Sequence, residues 1–212
     1  MAGSAASGNE ARLHAFVSEG VWAMKVLGLS GSLRRGSFNT AALRAAQELA
    51  PAGMTIETGE IGDLPLYNDD LRAGGYPPPV ERLRSQLAAA DAVLFVTPEY
   101  NYSVPGVLKN AIDWASRPPN QPFDGKPAAI MGASPGLLGT ARAQYHLRQM
   151  LVFLNVFPIN KPEVFITQAN TKFDEAGRLT DEATRDHIRK LLQSLADWTT
   201  RLQRSAAGGS AA

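Results

Sequence analysis

Ser30-Gly31-Ser32-Leu33-Arg34-Arg35-Gly36-Ser37-Phe38-Asn39 gathers hydroxyl, amide and guanidinium groups into one short stretch. It follows an apolar run from Met24 to Leu29 and precedes a helix-like run from Thr40 to Ala50. A buried strand that breaks into such a loop and then opens a helix has the build of an anion site. Backbone N–H groups and the positive end of the helix point at one place, and an arginine fork adds charge-assisted donors. The chemistry this suggests is capture of a phosphomonoester. The stretch lacks the lysine of a P-loop and the G-x-G-x-x-G of a dinucleotide fingerprint. Taken alone it also reads as a polar turn with solvated arginines.

Two further stretches carry chemistry. Pro98-Glu99-Tyr100-Asn101-Tyr102-Ser103 offers two phenol rings, an amide, a carboxylate and a run of backbone groups. That set suits a flat heteroaromatic ligand, whose polar edge pairs with backbone while rings and prolines wall its face. Ser134-Pro135-Gly136-Leu137-Leu138-Gly139-Thr140 is the third. A phosphate in the first loop and a planar ring beside the second make flavin mononucleotide (FMN) the economical ligand. For Tyr100 and Tyr102 the competing reading is cover for the sheet end or an oligomer contact, and for Glu99 a solvated carboxylate. Flavin chemistry needs no acid or base from Glu99, since hydride transfer can proceed with the ring tuned by hydrogen bonds.

Something must bring these loops together. Met24–Leu29, Ala92–Thr97 and Pro127–Ala133 are continuous apolar runs, as expected of parallel strands covered on both faces. Met54, Ile56 and Thr58 alternate with polar residues as a shorter strand, and Phe157–Ile166 holds the last. Helical spacing recurs between them: Ala41 to Leu49, Val80 to Ala90, Val107 to Ala115 after Pro105, Leu147 to Leu154, and a long helix from Thr180 with Ile188, Leu191, Leu192, Leu195 and Leu202 as its buried stripe. Residues 59–79 form a long irregular excursion. Strand and helix alternate five times, which predicts an α/β fold, a doubly wound parallel sheet of five strands. In the order 2-1-3-4-5, ligands lie beyond the carboxyl ends of strands one and three. The three suspicious loops follow strands one, three and four, so they converge at that edge.

Composition narrows the function classes. The chain has 212 residues, 44% of them hydrophobic, enough for one domain with a sizeable core. A formal charge of +1 gives no field for recruiting nucleic acid or an acidic membrane surface. No stretch is long and apolar enough for membrane insertion. The absence of cysteine excludes disulfides, thiol catalysis and thiolate metal sites, and it is compatible with a reducing compartment such as the cytoplasm. His14, His146 and His187 lie far apart, so no protein metal site is expected. Residues 1–23, rich in Ala, Gly and Ser, read as a flexible, dispensable arm or as a segment packing on a neighbouring subunit. Residues 24–204 are the expected domain and 205–212 a disordered tail.

The motifs in order resemble the NADPH-dependent FMN reductase family. The resemblance is carried by the first loop, by Pro98-Glu99-Tyr100-Asn101 running through Ser103-Val104-Pro105-Gly106-Val107-Leu108-Lys109-Asn110-Ala111-Ile112-Asp113-Trp114, and by Ser134-Pro135-Gly136 with Gly139-Thr140-Ala141-Arg142. It extends from Lys25 to Leu202 and is strongest to bacterial quinone and chromate reductases with azoreductase activity. It implies a three-layer flavodoxin-like fold with noncovalently bound FMN reduced by NADPH or NADH. Small-molecule electron acceptors follow from it: quinones, and also chromate, azo compounds or free flavin. So does ping-pong hydride transfer through flavin N5, and a homodimer or homotetramer. By position, Ser30, Ser32, Arg34, Ser37, Phe38 and Asn39 would surround the phosphate and ribityl chain. Pro98, Glu99, Tyr100, Asn101 and Tyr102 would surround the isoalloxazine, and Ser134 and Gly136 would touch it from the third loop. Many members carry Gly-Gly where this chain has Gly139-Thr140, and a β-branched residue resists positive φ, which puts the local loop shape in question. Two other classes remain: a single-electron carrier, such proteins usually being strongly acidic, and a flavin-binding module without turnover. A hydrolase is disfavoured, because no G-x-S-x-G elbow occurs and only His146 comes near a loop end.

Overall fold

The apolar runs are strands: β1 (Met24–Ser30), β2 (Met54–Thr58), β3 (Ala92–Val96) and β4 (Pro127–Ala133), with β3 and β4 buried throughout. The structure is a computed structural model that describes residues 23–208, with side chains described to residue 205. Of the expected arm, residues 1–22 lie outside the described residues. The strands pair in parallel in the order β2-β1-β3-β4-β5, as predicted. The fifth position is held by two short strands, β5 (Phe157–Pro158) and β6 (Val164–Ile166), which both pair with β4. The single strand expected there is broken because Pro158 and Pro162 have no N–H to give a ladder.

Helices α1 (Phe38–Glu48) and α6 (Glu182–Gly208) cover one face of the sheet. The other face carries α3 (Pro78–Ala89), α4 (Gly106–Ala115) and α5 (Ala141–Phe153), while α2 (Asp69–Ala73) is one short turn inside the 59–79 excursion. Alternate residues of each strand feed the two cores: Val26 and Leu94 pack with Leu43 and Leu191, whereas Leu27 and Phe95 pack with Leu83 and Leu108. Each such side chain taken from water is worth about 2 kcal/mol. The layers thereby fix every βα loop at the carboxyl edge.

Helix ends depart from expectation where side chains cap them. α1 begins at Phe38, two residues before the expected Thr40, because the Ser37 hydroxyl accepts the N–H groups of Asn39 and Thr40 at 3.2 Å each. Phe38 and Asn39 are therefore first-turn helix residues and not loop. α6 begins at Glu182 and not Thr180, since the Asp181 carboxylate accepts the Thr184 N–H at 3.0 Å and the Thr184 hydroxyl. It also runs to Gly208, past the expected end at 204, where Ala206 and Ala207 favour helix.

Chiefly the Thr184 hydroxyl bond, then the Thr184 N–H and Lys172 at 3.6 Å, hold the Asp181 carboxyl below its ordinary value. A depressed folded-state pKa gives stability that is present above the unfolded value and lost as pH falls through the folded one. Asp181→Ala is expected to cost about 1 kcal/mol at neutral pH. Denaturant melts of the two proteins should converge as pH falls below the ordinary carboxylate value.

Candidate functional site

The three loops meet around the last residues of β3 and β4. Gly31 N–H donates to the Val96 carbonyl at 2.9 Å, and Thr97 N–H donates to the Met131 carbonyl at 3.0 Å, so the ladder carries into the loops. A Cβ on Gly31 would lie 2.9 Å from Pro105 Cγ and 3.1 Å from Pro98 Cδ, closer than side chains pack. Only glycine lets the first two loops approach this tightly. Gly132 is more confined still: a Cβ there would fall inside both Thr140 Oγ1 and the Thr97 carbonyl oxygen. Next to it, Ala133 exchanges hydrogen bonds with the side chain of Asn39, Nδ2 to the carbonyl and N–H to Oδ1, both at 2.9 Å.

The first loop is a donor cradle. Successive N–H groups of Ser32, Leu33, Arg34, Arg35 and Gly36 have no acceptor among the described residues, and they lead into the N-terminus of α1. Residues 33–36 are exposed, while Ser32 and Ser37 are buried. Arg34 folds back over the loop, its guanidinium 5.6 Å from the Phe38 ring, and Phe38 in turn lies 5.5 Å from Phe173. Ser30 Oγ and Thr40 Oγ1 are 3.0 Å apart, and Thr40 Oγ1 donates to the Ser32 carbonyl at 3.4 Å. Ser30 and Ser37 thus shape the loop, and the exposed backbone of residues 33–36 leaves donors open to an anion. No partner for Arg35 is recorded among the described residues, in line with a solvent-facing role.

The second loop is a two-residue reversal. Tyr100 and Ser103 exchange N–H···O bonds at 3.0 Å, and Asn101 and Tyr102 take φ of 50° and 66°. These are the left-handed values of a type I′ turn. Asparagine tolerates them, but an aromatic residue there costs about 1 kcal/mol or more. Tyr102 is held by Arg142, whose guanidinium carbon sits 3.6 Å from its ring centroid. Arg142 also pairs with Glu99, whose carboxylate accepts the N–H groups of Arg142 and Ala143 at 3.2 and 3.3 Å. The Glu99 side chain is 6% exposed. It is not a solvated loop carboxylate; it caps α5, where a negative charge complements the helix N-terminus. Tyr100 and Tyr102 are 52% and 66% exposed, so the Tyr100 ring and the side of Tyr102 away from Arg142 can wall a ligand or a partner.

In the third loop Ser134 Oγ accepts the Gly136 N–H at 3.1 Å, and the Gly136 carbonyl accepts the Gln168 N–H at 3.2 Å. The loop turns at Gly139, φ +58°, and Thr140 at φ −126° needs no left-handed geometry. The departure from Gly-Gly therefore leaves the loop intact, and Thr140 uses its hydroxyl to accept from Gln144 Nε2 at 3.1 Å. Beside the second loop a cleft of about 340 Å³ is lined by Ser103, Val104, Lys109, His146 and Met150. His146 Nδ1 lies 3.1 Å from Ser103 Oγ.

A phosphate-bearing planar ligand fits these residues. The run of N–H groups without acceptors supplies what a phosphate needs, and the exposed rings and backbone turn of the second loop supply the bed for a ring. Thr97, Gly132, Thr140 and Arg142 were not among the expected site residues, although they hold the loops in place. Gly132, a glycine inside an apolar strand run, carried a legible signal of close approach. The Glu99–Arg142 pairing joins residues far apart in sequence and carried none.

Residues 24–171 match the family described as NADPH-dependent FMN reductase. An NAD(P)H-dependent FMN reductase of Pseudomonas aeruginosa is 64% identical over 180 residues, covering 85% of this chain and 97% of the relative. A quinone reductase of Escherichia coli is 46% identical over 183 residues, covering 85% of this chain and 97% of its own. Among solved structures, the flavoenzyme NAD(P)H:(acceptor) oxidoreductase FerB from Paracoccus denitrificans is similar with a TM-score of 0.78 at 40% identity. That likeness covers 84% of this chain and 98% of FerB.

Proposed function

The chain belongs to the NADPH-dependent FMN reductase family and is an FMN-dependent NAD(P)H:acceptor oxidoreductase, and on that premise we propose that it reduces quinones in a ping-pong cycle at the converging loops. The observation that carries the reading is the cradle of unaccepted N–H groups at α1, locked beside the turn at Tyr100–Ser103. The Escherichia coli relative is a quinone reductase.

Bound FMN supplies the two-electron hydride chemistry that no side chain here can supply. The protein binds, orients and shields. Ser32, Arg34 and the N–H groups of residues 32–36 would hold the phosphate, and the α1 N-terminus would add its partial positive charge. Backbone groups of Glu99, Asn101 and Tyr102 would hold the polar edge of the ring, with Tyr100, Pro98, Ser134 and Gly136 as further contacts. Fixing the turn through Arg142 places donors before charge develops, so little reorganisation accompanies reaction. Holding donor and acceptor in turn over one exposed face supplies the orientation that a bimolecular encounter lacks.

The assembly we propose is a homodimer or homotetramer. Tyr145, Val152 and Phe153 project from the outer side of α5, at 54%, 79% and 88% exposure, and Leu137 and Leu138 of the third loop are also exposed. Apolar surface of that size on one helix and the adjoining loop favours a partner. Among the described residues no helix is long and apolar enough to cross a membrane, and the absence of cysteine suits work in the cytoplasm.

Purified protein loaded with FMN tests the reading. Anaerobic addition of one equivalent of NADPH, with NADH in parallel, is expected to bleach the flavin spectrum directly to the two-electron form, and benzoquinone to restore it. A flavin left unbleached by both coenzymes, or no uptake of FMN at all, would sink it.

A further inference from the structure

Asn39 stands in the first turn of α1, two residues after the Ser37 cap, where its amide was expected around the phosphate. Instead it is 4% exposed and grips both peptide groups of Ala133, at 2.9 Å each. We propose that Asn39 is a positioning residue that acts on flavin binding through Ala133, latching the first loop to the third. This rests on the reading of the site as an FMN site.

The topology gives the latch its place. α1 follows β1, the third loop follows β4, and β3 lies between those strands. No ladder bond can join β1 to β4, and beyond the packing of α1 on β4 it is the Asn39 side chain that hydrogen-bonds the two. Ala133 ends β4, and the geometry of the third loop is built onward from it. Ser134 N–H donates to the Ile166 carbonyl at 3.0 Å, the Ser134 carbonyl accepts from Ala169 at 3.1 Å, and Ser134 Oγ holds Gly136 at 3.1 Å. Removing the Asn39 amide leaves a buried N–H and a buried carbonyl without partners, which the chain can satisfy only by moving the β4 end. The first and third loops then lose their fixed separation.

Two flavins separate this from direct phosphate binding, because riboflavin is FMN without the phosphate. Asn39→Ala is expected to weaken FMN and riboflavin by similar factors, on the order of tenfold or more. Arg34→Ala, which removes a phosphate donor, should weaken FMN and hardly touch riboflavin. A loss confined to FMN in Asn39→Ala would overturn the latch, and so would a lowered melting temperature with both flavin affinities unchanged. Should that variant not fold, NMR of the wild-type protein decides. The Ala133 amide is expected to be protected from exchange without flavin, and the Asn39 side-chain amide to respond alike to FMN and riboflavin. An Asn39 response to FMN alone overturns the proposal. Wild-type protein that binds neither flavin fails the FMN reading itself, and the latch with it.

Discussion

Gly132→Ala is expected to destabilise the protein by about 3 kcal/mol and to weaken FMN binding at least tenfold, roughly the upper end of overpacking costs. The added methyl has nowhere to go. It meets Thr140 Oγ1 on one side and the Thr97 carbonyl oxygen on the other. A hydroxyl can rotate away, but a backbone oxygen can move only with its chain. Thr97 is tied by its N–H to Met131 at 3.0 Å and leads straight into Pro98. Relief therefore requires the ends of β3 and β4 to part, and the second and third loops move with them. Cores are packed too densely to absorb such a shift locally. Denaturant titration of the apoprotein and fluorescence titration with FMN read the two effects. Thr140→Ala in the same background should not rescue either, because the carbonyl clash remains. A Gly132→Ala protein within about 1 kcal/mol of wild type, with unchanged FMN affinity, would show that the strands do not approach this closely.

Much of this arrangement was legible before any coordinate. Continuous apolar runs at Ala92–Thr97 and Pro127–Ala133 read as doubly covered strands, and their alternation with helical spacing leaves few sheet orders. That placed three polar loops at one edge. What the pattern could not show is which atoms of those loops face a ligand. Ser37, Asn39 and Glu99 are the polar types a phosphate or flavin site uses, yet Ser37 caps α1, Asn39 reaches Ala133 and Glu99 caps α5. Polar side chains at a helix start serve the backbone first, since orphan N–H groups there must find acceptors. The donors left for an anion are mostly main-chain, and side-chain type says little about them. The break between β5 and β6 was visible in Pro158 and Pro162, whereas the Arg142–Tyr102 stack depends on a turn whose left-handed geometry the sequence Tyr-Asn-Tyr-Ser does not announce.

Trp114→Ala is expected to cost about 4 kcal/mol, within the range for deleting a buried aromatic, and Trp114→Phe only about 1 to 2 kcal/mol. The difference follows from what the indole does. Trp114 is fully buried in the core beneath α4, its ring edge-on to Tyr67 at 4.9 Å. Its Nε1 donates to the Pro65 carbonyl at 2.7 Å, and that oxygen also accepts from Asn110 Nδ2 at 2.9 Å. Phenylalanine keeps most of the volume and leaves Pro65 one donor, so the loss is a single hydrogen bond. Alanine leaves a cavity that the sheet and α4 cannot close. Lys109 and Asp113 of the same motif form an outward i,i+4 pair at 2.7 Å, so within this run Asn110 and Trp114 hold the 59–79 excursion. Asn110 Oδ1 completes the anchor by accepting the Tyr67 N–H at 2.7 Å. The consequence reaches the site, because a Cβ on Gly62 of the excursion would lie 2.9 Å from Leu33 Cδ2 in the phosphate loop. Limited proteolysis of Trp114→Ala should therefore cut within the excursion, and FMN should slow that cleavage. Equal stability of the alanine and phenylalanine variants would remove the cavity as the cause and leave the Pro65 bond alone responsible.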